Sequence, residues 1–455
     1  CELVNQHMYY IKRHKLINIL LIITALFCLL FLRQFLMFIY PFLVFVIFIA
    51  LKLKVTTKQF LFLILLFVFT IISSFLEGFF IENYIFSLYL ILPTFIFLTS
   101  KVTPFFYGKN ESLFKSFFNY FTIILAIVNI SAFIYFQFFI SSEQNFEDSF
   151  TGIYGSSGLG SHTLSIINLC VSVYYFYNKK ILKFLLFLIC GVFGFYGLGL
   201  MAFISAFSLV FLTNIIKHWK AILITFGSVL VVMLSIYLFN PKNFRYLEKN
   251  IDYAQLAIDD YSYQEQIDKV NDTLITKVPR FITFLDGAQK RLFSDPKVFI
   301  LGTSPGGYNS RVAFFFNGDF MSNNFIKNTF NNRTKYHEED VYPLLNRALL
   351  ERPYNDGTRN QTFSSVATLI MEYGVFIGGI FLAWFFIKVK RIRKQTQLSN
   401  IALSQYVKFL WFYLFILFFV QNYLEYPEII LPIILFIKTI DIDNHNMELN
   451  DPEQE

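Results

Sequence analysis

Apolar runs of about 20 residues recur along most of this chain, divided by short polar connections. That is the length a helix needs to cross a bilayer core, and a helix satisfies all its backbone polar groups internally, as lipid demands. The pattern predicts spans near 16–32, 35–51, 60–76, 84–100, 118–140, 162–177, 181–198, 200–216, 221–239, 364–387, 405–422 and 427–439, about twelve in all. The fold class that follows is an all-α integral membrane protein with one large extracytoplasmic loop.

The connections carry an independent signal. One set is basic: Lys12, Arg13 and Lys15; Lys52, Lys54 and Lys58; Lys101, Lys109 and Lys115; Lys179, Lys180 and Lys183; Lys217 and Lys220; then Lys388, Lys390, Arg391, Arg393 and Lys394. The alternate set is acidic: Glu77 and Glu82, then Glu143, Glu147 and Asp148, then Glu425 and Glu428. Retention of positive charge on the cytoplasmic side then places both termini in the cytoplasm. The basic tract before the first run is followed by Arg33-Gln34 and no small-residue cleavage site, which reads as an uncleaved first helix. The expected organisation is a bundle of about nine helices over 1–239, a large periplasmic loop over 240–362, about three further helices over 363–440, and an acidic, disordered cytoplasmic tail over 441–455.

Composition agrees with that map. Only 15% of the residues are charged against about 25% in soluble proteins, while 56% are hydrophobic. Soluble enzymes, disordered hubs and disulfide-rich secreted domains are thereby excluded. The net charge of +7 resides in the short clusters between runs, so it orients helices and implies no nucleic-acid partner. Of the cysteines, Cys28, Cys170 and Cys190 lie inside apolar runs and only Cys1 outside, which gives neither a disulfide framework nor metal-ligand spacing. No cofactor or metal is expected.

The candidate chemistry lies in the polar stretch 240–362, because a loop of that length is usually functional. Phe284, Ala288 and Leu292 recur at helical spacing there. An apolar, strand-like segment from Val298 to Leu301 runs into a turn containing Gly302, Pro305, Gly306 and Gly307. Glycines let successive N–H groups form an anion-binding nest. Arg291 and Arg311 flank the turn with guanidinium forks suited to phosphate oxygens. The residues thus describe either a phosphate or pyrophosphate site or an ordinary Gly/Pro turn with two solvated arginines. A smaller Gly-rich loop, Ser141 to Ser161, feeds the sixth run at His162, which reads as an interfacial cap.

In this region the chain resembles the bacterial O-antigen polymerase family (the Wzy type) of the O-antigen polymerase/ligase superfamily. Members carry Gly-x-Gly-Pro-Gly-x-Phe/Tyr-x-Ser-Arg in the large periplasmic loop. The match is Gly302-Thr303-Ser304-Pro305-Gly306-Gly307-Tyr308-Asn309-Ser310-Arg311, with Ser304 in place of the second glycine. The segment around Glu372, Gly374, Gly378 and Gly379 resembles the family's opening of the following helix. Arg291 and Gly302 fit an Arg-x10-Gly spacing, and Arg291 and Gly307 an Arg-x15-Gly spacing. The resemblance covers nearly the whole chain, since span number and loop position also agree. Two features depart from the family. A histidine that ligases place shortly before the loop exit is missing around Gln361 to Ser365, and a Ser-Arg-Gly between the middle helices is absent near Gly194 to Gly199.

The resemblance implies a GT-C-like glycosyltransferase in the bacterial cytoplasmic (inner) membrane. It would polymerise undecaprenyl-diphosphate-linked oligosaccharides into O-antigen, capsular or exopolysaccharide, with a chain-length regulator protein as a further partner. Such chemistry must stabilise a departing pyrophosphate and activate a sugar hydroxyl. Arg291 and Arg311 take the first role, with Arg280 as a third arginine. Arg347, Arg352 and Arg359 are candidates for a second diphosphate. For a base the loop offers His337 and Glu338 within His337-Glu338-Glu339-Asp340, whose competing reading is a solvated charged turn. Glu372 enters an apolar run, where a carboxylate is expensive unless paired or functional. Tyr308, Tyr336 and Tyr342 are candidate sugar platforms. Two alternatives stay open: a ligase that transfers finished glycan to a lipid or protein acceptor, and a transporter (flippase) of lipid-linked oligosaccharide.

Overall fold

The computed structural model describes residues 16–29, 33–78, 80–103, 112–139, 150, 158–194, 196–211, 223, 227, 230, 234, 237, 280–316, 332–344 and 362–448. The helices are α1 (Leu16–Leu29), α2 (Arg33–Ala50), α3 (Thr57–Leu76), α4 (Ile81–Thr99), α5 (Leu113–Phe139), α6 (Gly158–Tyr177), α7 (Ile181–Phe193), α8 (Gly197–Phe211), α9 (Arg280–Ser294), α10 (Pro296–Leu301), α11 (Arg311–Phe316), α12 (Ser365–Ser399), α13 (Ile401–Val420) and α14 (Pro427–Glu448). Among the described residues there is no strand, only two isolated bridges, Lys54 with Lys101 and Phe363 with Gln421. The described residues are all-α. Five of the described helices are long and apolar enough to cross a membrane: α3, α4, α5, α12 and α13. The run at 221–239 falls largely outside the described residues.

The last apolar run forms the centre of the bundle. In α14 every residue from Pro427 to Ile442 is buried, and the helix packs against α2, α4, α5, α6 and α12. A helix surrounded by others needs no polar stripe, which explains the unbroken Ile429 to Ile437. Lipid tails are as apolar as these side chains, so close packing and polar pairs between helices carry the association. Asn129 of α5 and Asn168 of α6 form such a pair, exchanging two hydrogen bonds of 2.7 and 2.8 Å.

The disordered acidic tail expected from Asp441 is overturned over its first eight residues, because α14 runs through Glu448. Its carboxylates serve neighbouring helices. Asp443 accepts from the Leu113 and Phe114 backbone at 2.9 and 3.1 Å and from the Ser112 hydroxyl, capping the start of α5 from another helix. Asp441 pairs with Lys388 at 2.9 Å and with the fully buried Lys438 at 3.0 Å. Lys438 also donates to the Ser100 carbonyl at 2.7 Å, at the end of α4, where a cation complements the helix dipole.

The two ends of the bundle separate by charge. At one end lie the Lys54–Lys101 bridge and the Lys388–Asp441–Lys438 group. At the other, the end of α3 and the starts of α4, α12 and α14 meet the loop elements α10 and α11. There Lys297 pairs with Glu77, and Asn332 donates to Glu82 at 3.1 Å. The alternation of connecting charges requires this grouping.

The strand-like segment at Val298–Leu301 is instead part of the short helix α10. Asp295 caps it by accepting from the Lys297 and Val298 N–H groups, and Pro296 fills the first helical position. That Asp-Pro start outweighs the β-branched content of so short a run. The amphipathic helix expected around Phe284, Ala288 and Leu292 is α9, which buries Phe284 and Ala288.

Removing the trans-acting cap tests the bundle. Asp443→Ala should lower stability by about 1–2 kcal/mol, read as a lower melting temperature in detergent, with Asp443→Asn retaining part of it. An unchanged melting temperature in the alanine variant would show that α14 does not hold α5 in this way.

Candidate functional site

The site begins at a broken helix. Within α12, Gly374 has φ 74° and ψ 162°, so the helical hydrogen-bond ladder stops there and resumes beyond it. Gly302 of the loop, at φ 79°, sits against that break. A Cβ on Gly302 would lie 2.4 Å from the Glu372 carbonyl oxygen, and one on Gly374 would lie 2.2 Å from the Ile300 carbonyl oxygen. Only two glycines permit this approach. The Thr303 N–H donates to the Met371 carbonyl at 2.7 Å, and the Ser73 hydroxyl donates to the Gly302 carbonyl at 2.9 Å.

The anion-binding nest forms, but its occupant belongs to the chain. One oxygen of the fully buried Glu372 carboxylate accepts from the N–H groups of Tyr308, Asn309 and Ser310 at 3.0, 3.1 and 3.0 Å. The other accepts from the Gly306 N–H at 2.7 Å. Hydrogen bonds to a charged group contribute about 1.5–3 kcal/mol each, which offsets the several kcal/mol lost on burying a carboxylate. Of the four residues expected to hold substrate phosphate, Gly306 and Tyr308 donate to Glu372 instead, while the Gly302 and Gly307 N–H groups donate to the Val298 and Ser304 carbonyls. Ser304 has φ 76°.

Both flanking arginines also have carboxylate partners, so neither is the solvated side chain of the alternative reading. Arg291 donates from Nε and Nη2 to the two Asp340 oxygens at 2.9 and 2.7 Å, and from Nη2 to Glu339 at 2.8 Å. The Asp340 hydrogen bonds hold its guanidinium above the usual arginine range. His337, Glu338, Glu339 and Asp340 lie in one wide helical turn, His337–Val341. His337 is buried with Nδ1 2.6 Å from the Tyr308 carbonyl oxygen, whereas Glu338 is exposed. The first arrangement fits a histidine that fixes the loop better than a base facing substrate.

Arg311 is held differently. Its backbone N–H donates to the Glu425 carboxylate, its Nη1 reaches the Glu425 carbonyl at 3.4 Å and the Glu428 carboxylate at 3.7 Å, and its guanidinium lies 4.5 Å from the Tyr426 ring centroid. Strong charge-assisted bonds are about 2.7–2.9 Å, so the Arg311 fork is engaged loosely and the Arg291 fork tightly. Glu425 and Glu428 are both buried. Asn422 donates to one Glu425 oxygen at 2.9 Å, while the other is buried without a hydrogen bond. Burial, with the Glu372 charge second, pushes the Glu425 carboxyl well above the usual carboxylate range, against the pull of Arg311. These two glutamates were legible only as an acidic connection. Their burial follows from α14 lying at the centre of the bundle.

The remaining candidates are placed as follows. Tyr308 is fully buried beside Phe284, with its hydroxyl 3.4 Å from Asp340, so no ring face is open to a sugar. Tyr336 is buried under Arg291, donates to Asp295 at 2.9 Å, and has its hydroxyl pushed up to about 12 by burial and then by that carboxylate. Tyr342 lies beneath Arg333. His162, expected to cap the sixth helix, lies inside α6 and meets the Tyr196 ring at 4.0 Å between centroids, tilted by 31°. Arg280 opens α9. Arg347, Arg352 and Arg359 lie outside the described residues. Among the described residues no group of His, Cys, Asp and Glu is arranged to hold a metal ion.

No protein-family model matches the chain, and no curated protein matches it.

Glu372→Ala leaves four N–H groups facing a void and should lower stability by about 3–5 kcal/mol. The readout is the melting temperature in detergent together with new protease cleavage between Gly302 and Arg311. Glu372→Gln should fall between wild type and alanine. A protease-resistant loop in the alanine variant would mean that the carboxylate does not organise it.

Proposed function

We propose that this chain is a membrane glycosyltransferase that polymerises undecaprenyl-diphosphate-linked oligosaccharides at the face of the membrane where the loop docks. In this reading it has about twelve spans in a GT-C-like arrangement, both termini are cytoplasmic, and the inner membrane of a bacterium holds it. The observation that carries it is the setting of Arg311. A loosely engaged guanidinium beside two buried carboxylates, at the junction of loop and bundle, matches what the reaction demands.

The acceptor hydroxyl oxygen forms a bond to the anomeric carbon of the donor as the carbon–oxygen bond to pyrophosphate breaks. The undecaprenyl diphosphate leaves with the electron pair, and Arg311 neutralises the developing charge. The hydroxyl proton passes to a carboxylate, for which Glu428, 3.7 Å from the Arg311 guanidinium, is the candidate. Arg291, locked on Asp340 and Glu339, becomes a residue that shapes the loop and no longer a grip on diphosphate. A specific feature favours a second reading, that of a flippase: a helix broken at Gly374 beside a buried carboxylate is also a transporter device.

Purified lipid-linked repeat unit, incubated with the reconstituted protein and sized on a gel, tests the proposal. Wild type should give a ladder. Arg311→Ala should lower the rate by at least about 100-fold, the size seen when one charge-stabilising donor is lost. Arg311→Lys should recover little, because lysine lacks the fork. A full-length ladder from Arg311→Ala at normal protein levels defeats the assignment, and translocation without elongation favours the flippase.

A further inference from the structure

The helix α9 carries two exposed edges of opposite character. At 100° per residue, Phe281, Ile282 and Phe293 fall on one arc of about 120° that also holds the exposed Gln289, with Asp286 about 20° and Lys290 about 60° beyond Phe293. Phe293 is 71% exposed and Ile282 37% exposed. Lys290 and Asp286 pair with each other at 2.8 Å on the polar flank. In α10, Ile300 is a further exposed apolar side chain. An apolar edge of this size does not suit water.

Its neighbours identify what covers it. Phe281 packs on Phe419 of α13 at 6.1 Å between ring centroids. At the other end of α9, Phe293 meets Phe299, and Phe299 meets Phe376 of α12, at 6.5 and 6.3 Å. Phe419 and Phe376 belong to two of the helices long and apolar enough to span the membrane, and both are exposed on the outside of the bundle. The exposed edge of α9 and α10 therefore continues the surface that α12 and α13 turn toward lipid. Lys290 lies about 60° further round the helix than Phe293. This is the arrangement of an interfacial amphipathic helix, which sinks its apolar side to the boundary of headgroups and acyl chains.

We propose that α9 and α10 lie in the membrane surface, with Ile282, Phe293 and Ile300 inserted among the lipid chains of the adjacent leaflet. The large loop is then part membrane-embedded, and its contact with the bilayer is built from the same aromatic chain that joins it to α12 and α13. The inference is independent of the chemistry performed at Arg311.

The test places a nitroxide label at Phe293→Cys, Ile282→Cys and Lys290→Cys, with Phe376→Cys as the lipid-facing reference. The background is the full chain with Cys1, Cys28, Cys170 and Cys190 replaced by serine, reconstituted into nanodiscs of phosphatidylethanolamine and phosphatidylglycerol. Collision rates with oxygen, which partitions into lipid, and with a water-soluble nickel chelate are read by power saturation. Labels at 293 and 282 should resemble 376, with oxygen collisions in excess, and the label at 290 should show the reverse. Nickel access at 293 equal to that at 290 would overturn the proposal. So would a label shielded from both agents, which would mean a protein partner or second copy on that edge. Ile300→Cys repeats the measurement on α10 if a label at 293 disturbs α9.

Discussion

The Glu372 carboxylate and the four N–H groups that close on it tie the loop to the membrane bundle, and the rest of the site depends on that attachment. The attachment has a geometric precondition. Helix α12 must break at Gly374 so that Gly302 can press against it, and both glycines occupy backbone conformations that a side chain would strain. Once the carboxylate is seated, the chain from Gly306 to Ser310 has little freedom, and Arg311 follows directly. Its backbone N–H is taken by Glu425 from the far side. A glutamate on one helix thereby fixes where an arginine of the loop meets a glutamate between two others.

The apolar runs and the charge alternation were legible because both are local properties, spaced as a bilayer requires. The Gly/Pro turn was legible as an anion-binding nest for the same reason. Its occupant was not, because Glu372 lies 62 to 66 residues along the chain from the groups it accepts from. The same holds for Arg291, whose partner Asp340 is 49 residues away. Charged side chains carry no signal that separates a ligand-facing fork from one that closes an internal pair. Asp441 and Asp443 misled in a related way. A run of acidic residues at a chain's end reads as solvated, yet each here meets a helix terminus or a lysine supplied by another helix.

Two arginines that look equivalent in sequence differ in how much of their charge is already answered. Arg291 has two carboxylates within 2.9 Å, in the parallel geometry that makes such pairs strong. Displacing them with a phosphate would exchange one good set of contacts for another at the cost of leaving carboxylates unpaired. Arg311 has longer contacts and an aromatic face, which hold a guanidinium in place without saturating its donors. Catalysis draws on interactions that strengthen as charge develops. Only the second arginine has room for that gain.

Where the buried charges lie also weighs between enzyme and transporter. On α14, Glu428 stands at one end and Lys438 and Asp441 toward the other, with Ile429 to Ile437 wholly apolar between them. Glu372 and the break at Gly374 are within about three turns of the start of α12, on the same side as Glu428. Transporters of the broken-helix kind gather such groups near the midplane, where each side of the membrane reaches them in turn. Here the middle of the central helix is sealed by packed aliphatic side chains, and the polar groups form two separate sets. The set at the loop end can meet a substrate that stays in one leaflet. Moving a polar glycan past nine apolar residues at the centre of the bundle would require that core to open, whereas transfer between two lipid-linked chains at one face would leave it closed.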